Sequence, residues 1–293
     1  MNDYLYFEPA TVAEALQILG QYGPEARPMA GGTDLILDVL SRGERQTHIV
    51  SLQKIDEMIF IHGNGDLHIG AATTHHSIET SALVQAACPM LAEGVSYIGS
   101  RQIRNLATIG GNICNALPCA DSVPPLVAAG AIMTVAGKDN ARQVPVETFI
   151  TGPRRTDLQP GELATEIVIP APAPRTGNVY LVHTTRKALD LTIVGVAVQV
   201  TLEAGSEKIQ DVRIALANCS PAPMRARVAE QLLVGNVLTE ELAQEAAEKT
   251  ADASKVRDSA LRASAAYRKE ILRILTRRAL FEALHRAQAG SEG

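Results

Sequence analysis

The sequence predicts an α+β fold in two parts. Up to residue 169, short apolar stretches with strand character alternate with segments of helical periodicity. Residues 170–174 read PAPAP, which cannot form regular structure and therefore marks a boundary. Beyond it, three segments with strand character come first and helical segments follow. We therefore predict one domain at residues 1–175 and a second at residues 176–288.

The first predicted helix has a clear N-terminal signal. Thr11 is followed three residues later by Glu14, which is the pairing of a capping box. Leu16 and Leu19 then repeat at helical spacing, and Gly23 favours an end to the helix.

The remaining elements of the first part follow from apolar periodicity and from turn residues. They are predicted as a strand at 28–30, a helix at 35–40, a strand at 48–52, a hairpin at 59–69 that turns at 63–66, helices at 77–86 and 89–97, and strands at 131–136 and 163–169. Residues 105–112 are predicted as a loop between these helices and strands.

The second part is predicted as a three-stranded antiparallel sheet followed by helices. The strands are predicted at 179–185, 192–202 and 211–217, with Gly205 in the second turn. Helices are predicted at 224–234, 239–252 and 259–288. The last helix carries apolar residues at Leu261, Ile271, Leu272, Leu275, Leu280 and Leu284.

Composition excludes several classes of function. The chain has 293 residues, 46% of them hydrophobic, and a net charge of −5, so a nucleic-acid surface is not expected. No apolar run approaches the length of a membrane span, and the first residues do not resemble a secretory signal. Four scattered cysteines do not suggest a disulfide framework. A cytoplasmic location is expected.

Two glycine pairs are the most informative feature. Residues 28–35 read PMAGGTDL and residues 105–112 read NLATIGGN, so each apolar run ends in Gly-Gly and a short polar residue. Glycine permits positive φ and close backbone approach, and successive N–H groups in such a turn can form an anion-binding nest. The two turns are either ordinary tight turns or a pair that together holds the diphosphate of a dinucleotide.

The usual nucleotide-binding signatures are absent from the sequence. No G-x-G-x-x-G opens a helix, and no G-x-x-x-x-G-K-[ST] occurs. A Rossmann fold or a P-loop is therefore disfavoured.

Cysteine and histidine pairs favour packing over metal binding. Cys114 and Cys119 form C-x4-C, but the other two cysteines are distant in sequence, so reduced, packed thiols are expected and no metal site is predicted. Interpreted as strand residues, His75 and His76 would point to opposite faces, which favours a surface or packing role. No nucleophile, triad or carboxylate pair stands out as catalytic.

Asp121 has two interpretations. It is placed to cap a helix that starts near Ser122, and it is equally suited to accept a hydrogen bond from a ribose hydroxyl.

Five stretches, in this order, resemble the FAD-binding medium subunit of the molybdenum hydroxylases, the family of xanthine, carbon monoxide and nicotinate dehydrogenases. They are PMAGGTDL (28–35), LHIGAATT (67–74), IGSRQIRNLATIGGNICNALPCADSVPPL (98–126), GELATEIVIP (161–170) and ASAAYRKEILRILTRRAL (263–280). The resemblance extends from about residue 3 to about residue 285. It implies a two-lobed FAD-binding domain of the PCMH type, like that of vanillyl-alcohol oxidase, followed by a domain of three antiparallel strands and helices.

The resemblance also implies cofactor-binding residues. One side of the FAD pyrophosphate would be wrapped by Arg27, Pro28, Met29, Ala30, Gly31, Gly32, Thr33 and Asp34. The other side would be held by Thr108, Ile109, Gly110, Gly111 and Asn112. Asp121 would hold the adenosine side, and Ala164 would lie against the isoalloxazine. His183 stands where many relatives carry Lys, and a neutral His would stabilise a reduced anionic flavin less than Lys would.

The implied function is electron transfer within a heterotrimer. A large partner chain would carry the molybdenum cofactor and a small one the [2Fe–2S] clusters, and NAD+ or another acceptor would take the electrons. Arg101 and Arg104, close in sequence to the second glycine pair, are predicted to help dock the iron–sulfur chain. The alternatives are a stand-alone flavoprotein oxidoreductase or oxidase of the same flavin fold, and a nucleotide-sensing or assembly module.

Overall fold

The architecture is taken from a computed structural model, which describes residues 4–42, 48–187, 189–260 and 262–289. Leu261, predicted as part of the last helix, and residues 1–3 of the predicted first domain lie outside the described residues.

The chain begins with a small parallel α/β unit. Its elements are β1 (Leu5–Phe7), α1 (Val12–Tyr22), β2 (Ala26–Met29), α2 (Leu35–Arg42) and β3 (His48–Ser51). The strand order is β1-β3-β2, and both pairings are parallel. The capping prediction for α1 is confirmed, because the Glu14 N–H donates to Thr11 Oγ1 at 3.1 Å.

A larger unit follows, with five antiparallel strands and several short helices. Its elements are β4 (Ile61–Asn64), β5 (Asp66–Gly70), α3 (His75–Thr80), α4 (Ala82–Ala87), α5 (Pro89–Ser96), α6 (Arg101–Arg104), α7 (Ile109–Asn115), α8 (Val123–Ala129), β6 (Ile132–Ala136), β7 (Ala141–Pro145), α9 (Val146–Phe149), β8 (Ile150–Gly152), β9 (Arg155–Thr156) and β10 (Leu163–Ile169). The order of the main sheet is β4-β5-β10-β6-β7, so β10 is its central strand.

The last part is an antiparallel sheet covered by helices. Its elements are β11 (Thr176–His183), β12 (Val194–Leu202), β13 (Ile209–Ala217), β14 (Met224–Arg225), α10 (Arg227–Leu233), α11 (Glu240–Ala253) and α12 (Ala265–Ala289). The three long predicted strands are present, and the two-residue β14 adds a fourth at the edge beside β13.

The third sheet contributes to two hydrophobic cores. Tyr180, Ala197 and Ala215 pack into the core of the first part, against α5 and α8. Alternate residues such as Val179 and Val196 face the other core, with α10, α11 and α12. The third sheet therefore joins the two parts of the chain.

Several predicted boundaries are wrong. In the hairpin, the first strand ends at residue 64 and the second begins at residue 66, because Gly65 at φ 83° makes the turn alone. The second glycine pair lies inside α7 and not in a loop. The predicted helix at 224–234 begins only at Arg227, and the long last helix begins at Ala265. Among the described residues, no helix has the length and apolarity needed to cross a bilayer.

Candidate cofactor site

The two glycine pairs meet in the structure. A Cβ on Gly31 would lie 1.8 Å from the carbonyl oxygen of Leu106, just before the second pair. Only glycine permits this approach of two backbones. Gly31 is therefore a contact residue between two segments that lie 75 positions apart in sequence.

The segment after β5 forms the other wall of the second glycine pair. A Cβ on Gly110 would lie 2.6 Å from Ala71 Cβ and 2.7 Å from the Ala71 oxygen. The Gly110 N–H donates to that oxygen at 2.9 Å, and the Ile109 N–H donates to Thr73 O at 3.1 Å. The stretch LHIGAATT thus packs directly against NLATIGGN.

The backbone N–H groups of the two glycine pairs differ in whether they donate hydrogen bonds within the protein. Around the first pair, the N–H groups of Gly31, Gly32, Thr33 and Asp34 donate to no acceptor among the described residues. Gly32 has φ 70°, the left-handed conformation expected of an anion-binding nest. The first turn can therefore offer successive N–H donors to a ligand.

The second pair does not form the predicted nest. Neither of its glycines has positive φ, because both lie in the first turn of α7. The Gly111 N–H donates to Thr108 Oγ1 at 3.2 Å, and the Asn112 N–H donates to Thr108 O at 3.0 Å. Both glycines pack closely, since a Cβ on Gly110 would meet Ala71 and one on Gly111 would lie 2.9 Å from Thr108 Oγ1. Their predicted role at the diphosphate stays a prediction.

Asn112 faces the loop before α8. Its Oδ1 accepts a hydrogen bond from Ser122 Oγ at 2.7 Å, which fixes the orientation of the amide. The amide nitrogen is its remaining polar group.

A charged cluster that the sequence did not reveal lies between α2 and α7. Arg154 donates to both carboxylate oxygens of Asp38, at 2.6 and 3.2 Å, and to Asn115 Oδ1 at 3.4 Å. Desolvation and then the charge of Asp38 raise the pKa of Asp34, while Arg154 and the Asn115 amide oppose the shift. The residue after the first glycine pair is thus part of an electrostatic cluster.

Asp121 is buried between the two parts of the chain. Its Oδ1 accepts hydrogen bonds from Tyr180 Oη and Thr192 Oγ1, both at 2.6 Å. Burial raises its pKa to about 6, and the two hydrogen bonds act in the opposite direction. The predicted helix-capping role is wrong, since Ser122 occupies the N-cap position of α8. The ribose role stays a prediction.

Ala164 and His183, the two residues expected near the flavin ring, lie on different sheets. Ala164 is buried on β10 opposite Val135, beside a bulge in the ladder. Its neighbour Thr165 accepts a hydrogen bond from Ala71 N–H at 2.9 Å, which places this end of β10 next to the glycine segments. His183 lies at the end of β11, and its Nε2 is 3.0 Å from Tyr267 Oη on α12.

The predicted pyrophosphate-binding segment begins on β2, an edge strand of the small sheet. Arg27 and Pro28 are exposed on β2, while Met29 and Ala30 are half-buried. The Met29 carbonyl accepts from the Leu52 N–H at 2.9 Å. These contacts hold the strand that leads into Gly31.

Arg104 is part of an internal ion pair. Its Nε donates to Glu79 Oε2 at 2.8 Å and its Nη1 donates to Ile98 O at 3.2 Å, with a side chain only 13% exposed. The charge of Arg104 is thus compensated within the chain by Glu79, and its docking role stays a prediction. Arg101 remains exposed on the same short helix.

Within the histidine and cysteine pairs, His75 is fully buried, while His76, Cys114 and Cys119 are half-buried. His75 lies on α3, and not on a strand, and is fully buried; burial and then the charge of Arg104 lower its pKa to about 3. All four cysteines are free, and burial raises the pKa of Cys114 to about 12. In the part of the chain that the structure describes, no three His, Cys, Asp or Glu residues are placed to hold a metal.

The first glycine turn fits a dinucleotide diphosphate. Four successive N–H groups have no acceptor within the part of the chain that the structure describes, and neither Gly31 nor Gly110 has space for a side chain, so the backbone at each position lies directly against a neighbouring segment. Hydrogen bonds from such donors to a charged phosphate contribute about 1.5–3 kcal/mol each.

Comparison with known proteins assigns the class. Residues 2–172 match the family model described as the FAD binding domain in molybdopterin dehydrogenase, and residues 180–283 match the C-terminal domain of carbon monoxide dehydrogenase flavoprotein. The chain therefore belongs to the family of FAD-binding medium subunits of molybdenum hydroxylases. It is an oxidoreductase subunit, and FAD is its cofactor.

Individual relatives match over nearly the whole chain. The xanthine dehydrogenase FAD-binding subunit of Escherichia coli O157:H7 is 31% identical, covering 98% of this chain and 97% of its own length. The carbon monoxide dehydrogenase medium chain of Afipia carboxidovorans is 34% identical, covering 97% of both chains. A solved structure of carbon monoxide dehydrogenase from Hydrogenophaga pseudoflava has a TM-score of 0.92 at 33% identity, covering 97% of this chain and 98% of that one.

Proposed function

We propose that this chain is the electron-transfer subunit of a three-chain molybdenum hydroxylase. When bound, FAD supplies the redox chemistry: it accepts electrons from [2Fe–2S] clusters on a small partner and gives them to NAD+ or another acceptor. A large partner with the molybdenum cofactor oxidises the substrate. The medium chain positions the cofactor and sets its electrostatic surroundings. We further propose that the chain works in the cytoplasm.

The first glycine turn is the single observation that carries the proposed cofactor position. The N–H groups of Gly31, Gly32, Thr33 and Asp34 point to no acceptor among the described residues, which suits a diphosphate. The second pair contributes by packing, since Gly110 brings α7 close to Ala71. Thr108 and Asn112 would then offer side-chain hydroxyl and amide groups on the opposite side of the diphosphate.

The remaining predicted residues would complete the site. Asp121 would hold the adenosine side, with its carboxylate already oriented by Tyr180 and Thr192. Ala164 would lie against the ring system, where a small side chain leaves room. His183, hydrogen-bonded to Tyr267, would be a weaker electrostatic partner for reduced flavin than a lysine.

A xanthine dehydrogenase-like role is the specific form of this proposal. Relatives named for xanthine and for carbon monoxide dehydrogenase resemble the chain to a similar degree, at 31% and 34% identity. We assign the choice of substrate to the large partner, since a flavin subunit needs no substrate-binding group of its own.

The proposal is tested by expressing the chain alone and together with a small [2Fe–2S] chain and a large molybdenum-cofactor chain from the same organism. We expect a yellow protein with one FAD per chain, whose flavin is reduced only when the substrate and both partners are present. Flavin reduction by NADH alone at a comparable rate, with no partner, would instead support a stand-alone oxidoreductase. Absence of FAD from a chain that still binds its partners would support an assembly module.

A further inference from the structure

We propose that Arg154 is a positioning residue for the diphosphate, because it links the two segments that begin at the glycine pairs and compensates the negative charge between them. This inference rests on the proposed placement of the diphosphate at the Gly31–Asp34 turn. Arg154 would not touch the phosphates. It would act through Asp38 and Asn115.

The link is a set of hydrogen bonds from one residue to two helices. The guanidinium of Arg154 donates to both oxygens of Asp38 on α2, and to Asn115 Oδ1 at the end of α7. The Arg154 backbone N–H donates to Ala116 O at 2.9 Å, which satisfies a carbonyl at the end of α7. The side chain and the backbone of Arg154 thus fix α2 relative to α7.

Those two helices are the continuations of the glycine pairs. α2 starts at Leu35, three residues after Gly32, and α7 contains Gly110 and Gly111 in its first turn. A change in the distance between α2 and α7 would therefore change the distance between the Gly31–Asp34 turn and the Gly110–Gly111 turn. Arg154 lies on the β8–β9 hairpin, remote in sequence from both helices.

The charge of Arg154 is as important as its geometry. Asp34 and Asp38 carry two negative charges next to the turn that would receive a diphosphate, which is itself an anion. The charge of Asp38 raises the pKa of Asp34 and that of Arg154 lowers it, so the three groups are within electrostatic reach of one another. Without Arg154, the two carboxylates would repel the phosphates uncompensated.

The backbone at Arg154 supports a specific role for this side chain. Arg154 has φ 58°, a conformation in which glycine is favoured over residues with a side chain. An arginine at a position suited to glycine indicates that its contacts offset the backbone strain. The next residue, Arg155, is exposed and offers a matched control with the same charge on the same hairpin.

The test is FAD binding to the full-length chain after removal of its flavin, measured by quenching of flavin fluorescence. We expect Arg154→Gln to raise the Kd for FAD about tenfold, the loss of roughly one charge-assisted interaction. Arg154→Lys keeps the charge and is expected to recover part of the affinity. Arg155→Gln is expected to bind within about twofold of wild type.

A double-mutant cycle separates charge from architecture. If Arg154 acts by compensating Asp38, then adding Asp38→Asn to Arg154→Gln should lower the Kd for FAD at least about threefold relative to Arg154→Gln alone. Wild-type affinity in Arg154→Gln would overturn the proposal. A loss that neither Arg154→Lys nor Asp38→Asn relieves would overturn the charge compensation.

Gly31→Ala distinguishes a wrong position for the diphosphate from a wrong role for Arg154. Unchanged FAD affinity in Gly31→Ala would show that the proposed cofactor position itself is wrong. Weak binding in Gly31→Ala together with normal binding in Arg154→Gln would overturn only the role of Arg154.

Discussion

Gly31 is the residue at which the first glycine segment packs against the backbone of the second. Its missing side chain leaves space for the Leu106 carbonyl, which a Cβ would approach to 1.8 Å. We therefore expect Gly31→Ala to force the backbones apart and lower the free energy of unfolding by about 1–3 kcal/mol. Urea denaturation of the flavin-free chain measures this change.

Gly20 provides the matched control for that substitution. A Cβ on Gly20, within α1, would meet no atom within 4 Å, and alanine favours a helix. Gly20→Ala should therefore leave stability unchanged or raise it slightly. Equal stability of the two alanine variants would contradict the close packing of Gly31 against Leu106.

Asp121 is expected to make stability depend on pH. Its folded-state pKa of about 6 lies above its ordinary value of 3.8, so the folded protein binds more protons than the unfolded chain between these values. The stabilisation is complete below pH 3.8 and is lost as the pH rises through about 6. We expect Asp121→Asn, which keeps an acceptor for Tyr180 and Thr192, to remove this dependence.

The measurement is the free energy of unfolding of both proteins at pH 4.5 and pH 7. Relative to Asp121→Asn, the wild type should lose up to about 3 kcal/mol over the full titration, part of it within this interval. Parallel pH profiles for the two proteins would refute a raised pKa at this carboxyl.

At the scale of elements, the ion pair between α6 and α3 stabilises the segment before the second glycine pair. Arg104 joins Glu79 and the Ile98 carbonyl with little exposure to solvent. Arg104→Glu would place two carboxylates together, and we expect the free energy of unfolding to fall by at least about 2 kcal/mol. Arg101→Glu, at the exposed start of α6, is the control and should alter stability by less than about 0.5 kcal/mol. A similar loss of stability in both variants, measured by denaturant titration, would contradict this account.

The sequence predicted those helices and strands that are determined by residues within their own segments. The Thr11–Glu14 pair marked the start of α1, and the β-branched residues Ile167, Val168 and Ile169 marked β10. The three long strands of the last sheet were recognisable for the same reason, whereas β7 and the β8–β9 hairpin were missed, since they are short and polar.

The candidate site was predictable only in part, because its geometry depends on contacts distant in sequence. The glycine pairs and the family resemblance indicated which segments matter. They did not show that Gly110 serves packing against Ala71, since α7 forms through a Thr108 cap that resembles a loop signal. Arg154 was not recognised at all, because an isolated arginine on a short hairpin carries no local pattern.

At the scale of the whole molecule, the third sheet links the cofactor segment to the last helices. Tyr180 of β11, and Thr192 just before β12, donate to Asp121, which follows α7 by only a few residues. The opposite face of the sheet packs on α12, where a Cβ on Gly177 would lie 2.1 Å from Ala283 O. The second part of the chain therefore helps to orient a residue of the proposed site, in addition to having a core of its own.

The most direct test of the central claim is an experimental structure of the chain with FAD bound. The account predicts that the diphosphate oxygens lie within about 3.2 Å of backbone nitrogens in the Gly31–Asp34 turn, with α7 forming the opposite wall. A diphosphate bound away from this turn, with the N–H groups of Gly31 to Asp34 facing only water, would contradict it.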